Sequence, residues 1–153
     1  MEDIRMVDVT HKEITKRIAI AKGKVRMKKE TILLIKEGKI EKGDVLKVSK
    51  IAGIMGAKRT FELIPLCHPL NVSWVDVRFR IDEKENCVEI EGEVHTSYKT
   101  GVEMEALTAV SLSALSIYDM CKPYDKSIVI SDIHLVKKTG GKGQVDRTQI
   151  DID

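Results

Sequence analysis

Val75-Asp-Val-Arg-Phe-Arg-Ile-Asp-Glu-Lys-Glu-Asn-Cys-Val-Glu-Ile-Glu-Gly-Glu-Val94 decides the fold. Val75, Val77, Phe79 and Ile81 alternate with polar residues. Val88, Ile90 and Val94 do the same, with Gly92 in the remaining slot. A period of two puts one face of each run on a core. Asp82 to Asn86 reads as the turn between them, so the stretch is an antiparallel hairpin.

Outward from the hairpin, Thr100 opens a long helix that runs to Lys122. It carries no charge between Ala106 and Tyr118, as expected of a helix buried nearly all round. Ser127 to Lys137 reads as a last strand with a parity break near Ser131, the sign of a bulge. On the N-terminal side, Arg17 to Met27 reads as a strand, with Ala19, Ala21, Val25 and Met27 at spacing two. Lys28 to Glu37 is a helix stopped by Gly38.

A second helix begins after Asp44, a good N-cap. There Val45, Val48, Ala52 and Met55 form the expected apolar face, and Gly53, Gly56 and Ala57 a stripe for close backbone approach. Pro65 ends this helical stretch. The order strand, helices, strand, strand, helix, strand predicts an α+β fold of ferredoxin-like type. That is a split βαββαβ antiparallel sheet with helices packed on one face. Residues 1–15 read as a flexible arm, 16–138 as one domain, and 139–153 as a Gly/Lys-rich tail.

The chain has 153 residues, enough for one domain with a core. Hydrophobic residues make up 42%, charged 33% and aromatic 4%, so the core must be aliphatic. A net charge of +2, from 26 basic and 24 acidic residues, is too even to argue for a polyanion partner, and no nucleic-acid partner is expected. No apolar run reaches membrane-spanning length and the N-terminus has no apolar signal core, so a cytoplasmic location is expected. Cys67, Cys87 and Cys121 show no paired spacing and are expected as free thiols.

The candidate chemistry lies in three places. Thr100-x-x-Glu103 fits a capping box, which favours a structural role for Glu103. Glu105 and Asp119 have no such role: an acid in the last turn opposes the helix dipole. For both, structural and functional readings stay level. They are fourteen residues apart, which leaves them roughly 40° apart around the helix and about 21 Å along it. One small-molecule site on one chain can hardly use both, so a second subunit is expected to complete the site.

Leu66-Cys67-His68 sits in a turn held by Pro65 and Pro69. His68 suits a general acid or base there, and a hydrogen-bonded core histidine equally well. Cys67 reads first as a small buried hydrophobe. No second Cys or His stands at ligand spacing, so no metal site is expected. The third place is basic. Lys58 ends the second helix, Lys42 precedes a helix start where anions are favoured, and Lys138 and Lys142 bracket a glycine-rich loop of a kind that wraps phosphate.

Together these segments resemble the cyclic pyranopterin monophosphate synthase family, also called molybdenum cofactor biosynthesis protein C. The matching pieces include Met6-Val-Asp-Val-Thr10, Lys42-Gly-Asp-Val45, Ile51-Ala-Gly-Ile-Met-Gly-Ala-Lys-Arg-Thr60, Leu63-Ile-Pro-Leu-Cys-His-Pro-Leu70, Lys99-Thr-Gly-Val-Glu-Met-Glu-Ala-Leu-Thr-Ala109, Ile117-Tyr-Asp-Met-Cys-Lys122 and Gly140-Gly-Lys142. The resemblance implies a ferredoxin-like lyase that converts a cyclised dihydro-GTP to cyclic pyranopterin monophosphate with loss of diphosphate. It implies hexamers, trimers of dimers, with interfacial active sites, and no cofactor; the sequence does not decide whether Mg²⁺ accompanies the substrate.

Asp119 and Lys122 match the family's catalytic pair. Leu66, Cys67, His68, Glu103, Met104 and Glu105 match substrate-binding segments. Arg17, Lys42, Lys58, Lys138 and Lys142 match basic pocket positions. Tyr98 departs from the family's usual Gly, and Gly143-Gln144 from its usual Ser-Gly. A non-catalytic nucleotide-binding module is the competing reading, but it has no need of an acid beside a lysine.

Overall fold

A computed structural model of the chain describes residues 3–147; residues 1–2 of the arm and 148–153 of the tail lie outside the described residues. β1 (Thr15–Arg26) leads to α1 (Lys29–Lys36), α2 (Val45–Lys58) and the short α3 (Thr60–Leu63). The hairpin β2 (Trp74–Asp82) and β3 (Cys87–Tyr98) follows, then α4 (Glu103–Cys121), β4 (Val129–Thr139) and β5 (Val145–Asp146). The sheet order is β2-β3-β1-β4-β5, and all its pairs are antiparallel. Strand β3 lies between β1 and β2, which splits the first βαβ unit as the sequence predicts.

The aliphatic strands bury one face. Ala19, Ala21 and Val25 of β1, Val77 of β2, and Val88, Ile90 and Val94 of β3 are all inaccessible, under the Ala106, Ala109, Val110, Ala114 and Ile117 face of α4. Each fully buried Val or Ile stabilises the fold by roughly 1.5–3 kcal/mol. Gly23 and Gly92 lie in the strands beneath α4, where a Cβ would press on Val110. Strand β4 bulges as expected: one residue of β1 between Lys22 and Lys24 spans two of β4 between Ser131 and His134, and Asp132 takes a positive φ of 58°. A second irregularity near Val136 and the β5 strand were not legible in the sequence.

Helix α2 corrects an expectation. Asp44 caps it through Lys47 N–H as predicted, and Val45 is buried. The larger apolar residues face out, however, with Val48 42%, Ile51 59% and Met55 48% exposed. The buried face is instead Ser49, Gly53, Gly56 and Ala57, packed against α4, where Ser113 donates to the Ser49 carbonyl at 2.9 Å. Small residues let the two helix backbones approach closely, and a Cβ on Gly53 would fall on Ser113 Oγ and the Ala109 carbonyl. Helix α4 is likewise not buried all round, since Leu115 and Tyr118 are exposed.

Helix α1 has no cap of its own, because Lys28 stands at its N-cap. Asp125, from the loop after α4, supplies it. Its Oδ2 accepts from Lys28 N–H (2.8 Å) and Thr31 Oγ (2.9 Å), and its Oδ1 from Ser127 N–H (2.7 Å) and Oγ (2.6 Å). Burial alone would raise this carboxyl, but the hydrogen bonds outweigh it and hold the group at about 2. Asp125→Ala removes a cap and orphans buried donors, so denaturant unfolding should show a loss of about 2–4 kcal/mol. A loss below about 0.5 kcal/mol, the scatter of an ordinary surface change, would contradict this role.

Candidate active site

The two ends of α4 carry two separate clusters. At the C-terminal end, Asp119 Oδ2 pairs with Lys42 Nζ at 2.8 Å and its Oδ1 with Lys122 Nζ at 3.2 Å. All three side chains are about half exposed. Hydrogen bonds from Lys42 and then Lys122 hold the Asp119 carboxyl below the usual range, so it is ionised at neutral pH. Two cations about one anion leave the cluster with a net charge of +1, able to receive an anion. Lys42 is positioned by its turn: Glu41 N–H donates to Tyr124 Oη at 2.8 Å, and Gly43 at φ 120° turns the chain into α2. Tyr124 was invisible as a site element in the sequence, since an aromatic just past a helix end carries no signal of what it touches.

At the N-terminal end of α4 the expected capping box is absent. Val102 is the N-cap and no side chain caps the helix. Glu103 turns instead to β4, where Lys138 Nζ lies 3.3 Å from its Oε1. Two residues further in, Glu105 is 3% exposed and its Oε1 has no hydrogen-bond partner. The Cys67 thiol lies 3.8 Å from its Oε2. Burial lifts Glu105 to about 7; its own amide pulls the other way, Glu103 adds to the rise, and the Cys67 thiol pulls least, downward. Burial and the nearby Glu105 in turn push Cys67 up to about 11, so it is a protonated thiol and a poor nucleophile.

Around this end, Arg17 donates through Nε to the Tyr98 carbonyl (3.1 Å) and through an Nη to that of Lys99 (3.2 Å). Gly140 and Gly141, both at positive φ, pack so closely that a Cβ would clash with the Lys16 carbonyl at the first and with the Arg17 guanidinium at the second. The arm reaches the same end: the Val7 carbonyl lies 2.6 Å from His68 Nε2, and Thr10 O accepts from Lys99 Nζ at 3.2 Å. These arm contacts have no signature in the aperiodic first fifteen residues.

The structure thus gathers Lys42, Asp119 and Lys122 at one end. It gathers Arg17, Cys67, Glu103, Glu105 and Lys138 at the other, with Met104 half-buried beside them. His68 borders this second group through the arm. Leu66, Lys58 and Lys142 are exposed, and among the described residues neither lysine forms an ion pair or hydrogen bond. As for metal, Asp82, Cys87 and Glu89 approach within 4.8 Å of one another, but Arg80 already bridges the two carboxylates.

Sheet order and this arrangement define a ferredoxin-like α+β domain whose reactive groups are divided between the two ends of one helix. The family model of the MoaC family matches residues 6–141, and the chain belongs to that family. It is similar to the cyclic pyranopterin monophosphate synthase of Heliobacterium modesticaldum, 60% identical over 138 residues that cover 90% of this chain and 87% of the relative. The Brevibacillus brevis enzyme of the same name is 54% identical over 138 residues, covering 90% and 86%. That of Peptoclostridium acidaminophilum is 54% identical over 147 residues, covering 95% and 92%.

Proposed function

We propose that this chain is a cyclic pyranopterin monophosphate synthase, a lyase of molybdenum cofactor biosynthesis acting on a GTP-derived nucleotide. The substrate of this reading is 3',8-cyclo-7,8-dihydro-GTP, rearranged to the cyclic pyranopterin monophosphate with release of diphosphate. The observation that carries it is the Lys42–Asp119–Lys122 cluster, in a chain up to 60% identical to synthases of that name.

The chemistry asks for two things. Opening a purine ring and reclosing it as a pterin requires protons to leave and arrive at ring nitrogens. An ionised Asp119 takes one, and the Lys122 ammonium gives one. Closing a cyclic phosphate while diphosphate departs requires cations on the triphosphate. Lys42, with the exposed Lys58 and Lys142, and Arg17 and Lys138 beside the glycine loop, are of the right charge. Leu66, His68, Glu103, Met104 and Glu105 then bind the rest of the substrate, with the Cys67 thiol of the same segment set behind Glu105.

Two copies complete the site in this reading. Asp119 and Glu105 stand about 21 Å apart along α4, too far to share one nucleotide within a chain. Val48, Ile51 and Met55 recur on one face of α2, and with Phe61, Leu63, Leu66, Leu115 and Tyr118 they leave an apolar surface exposed. Such a surface suits self-association, and a hexamer built as a trimer of dimers is the assembly we favour. No helix among the described residues is long and apolar enough to cross a membrane.

The test supplies the cyclised dihydro-GTP to the purified protein and follows pterin fluorescence together with diphosphate, with sedimentation velocity in parallel. One diphosphate per pterin from an oligomer is expected. A monomer that turns over at full rate would sink the shared site, and no product at all would sink the enzyme.

A further inference from the structure

We propose that Cys67 is a positioning residue acting through Glu105. Its thiol hydrogen-bonds Oε2 when that carboxyl is ionised and the His68 carbonyl when it is protonated, so that the unpartnered Oε1 is the atom presented to substrate. This deepens the synthase reading and rests on it.

Two equally buried carboxyls frame the argument. Asp125 and Glu105 are each 3% exposed. Asp125 collects four donors. Glu105 has the Cys67 thiol at 3.8 Å on one oxygen and no partner on the other. A buried acceptor without a donor is costly, and native folds leave few of them. Oε1 is therefore built for a donor that arrives with a ligand, such as a ring N–H.

The thiol has two acceptors at equal distance, Glu105 Oε2 and the His68 carbonyl, both at 3.8 Å. It has one proton and serves one of them at a time. Ionised Oε2 is the stronger acceptor; once Glu105 carries the proton, the backbone carbonyl becomes the better one. The thiol thus follows the charge of the carboxyl without forming a bond to substrate, and its own raised pKa keeps the proton on sulfur throughout. The charged group that acts on Glu105 is Glu103 on α4, itself paired to Lys138 of β4, while Arg17 of β1 is held by the Tyr98 and Lys99 carbonyls. Only Cys67 donates from the 64–70 segment.

Cys67→Ala and Cys67→Ser test this. The Glu105 carboxyl is followed by carbon-detected NMR titration of the free protein, and turnover by the fluorescence assay. Wild-type turnover establishes the synthase reading first, so the titration is judged separately from it. Cys67→Ala should raise the Glu105 midpoint by roughly half a pH unit and lower kcat about tenfold. Cys67→Ser, which keeps an O–H donor, should leave the midpoint at or below the wild-type value and turnover within about threefold. An unmoved midpoint in Cys67→Ala would overturn the proposal. So would a Cys67→Ser protein as inactive as a nucleophile knockout, with wild-type-like titration.

Discussion

Asp119→Asn should lower kcat by roughly 10²–10⁴ while leaving the fold intact. The amide keeps the shape of the carboxyl and loses the charge that gathers Lys42 and Lys122. Both ion pairs are half exposed, so their loss costs little stability, and the melting temperature should move little. Lys122→Ala should be as inactive, and the double variant little worse than either single, because residues acting as one unit are non-additive. Lys42→Ala should act mainly on KM, and it should let the Asp119 carboxyl rise back toward its ordinary value. The wild-type carboxyl is held below that value, so it is ionised throughout the neutral range and should place no acid limb there. The checks are kcat and kcat/KM against pH; wild-type-like pterin formation by Asp119→Asn or Lys122→Ala would refute the assignment.

Glu105→Gln should separate stability from activity in the opposite sense. Glu105 titrates at about 7 in the fold against an ordinary value of 4.5. Between these two values the folded state holds a proton that the unfolded chain has released, so stability falls as pH rises from about 4.5 to 7 and stays reduced above. The displacement sets an upper bound of about 3 kcal/mol, and roughly 1–2 kcal/mol is expected once residual access of water is allowed for. Glutamine is neutral at every pH and removes that penalty. The variant should therefore unfold at higher denaturant concentration than wild type at pH 8, and match it near pH 4. Turnover should fall by about 10²-fold, because an amide neither takes nor returns a proton. Equal stability at pH 8, or undiminished turnover, would show that Glu105 is a structural carboxyl.

The contrast between Glu105 and Asp125 shows how little of a carboxyl's character is written in its residue type. Both are buried, yet one lies near 7 and the other near 2. Asp125 meets two of its four donors locally, at Ser127, and the other two because its loop folds back onto α1 from more than ninety residues away. Glu105 meets, besides its own amide, only a weak thiol donor from the turn at Pro65 and Pro69. No spacing in the chain reports either neighbourhood.

Much of the frame was legible for a local reason. Period-two alternation in β2 and β3, the Asp44 cap of α2, the Gly38 stop after α1 and the β4 bulge arise from chain geometry over a few residues, and each stands where the sequence predicted it. The separation of Glu105 from Asp119 also follows from helix rise alone. Failures came where tertiary contacts overrode local preference. Thr100 and Glu103 have capping-box spacing, but Lys138 from β4 draws Glu103 away and the helix starts uncapped at Val102. In α2, the larger apolar residues mark a face that this chain leaves bare. The Gly53, Gly56 and Ala57 stripe, by contrast, makes the close approach to α4 that its small residues predicted, and it takes Ser49 inside with it.

By itself, then, the sequence determined the strand and helix order and the split sheet, because periodicity, caps and turns are short-range properties of the backbone, and its matched motifs carried the family resemblance. Only the tertiary structure decided that Lys42 joins Asp119 and Lys122, that the arm reaches His68, and that Glu105 is buried with one oxygen unpartnered. Those pairings join residues tens of positions apart, where distance and the access of water, not residue type, set each group's charge.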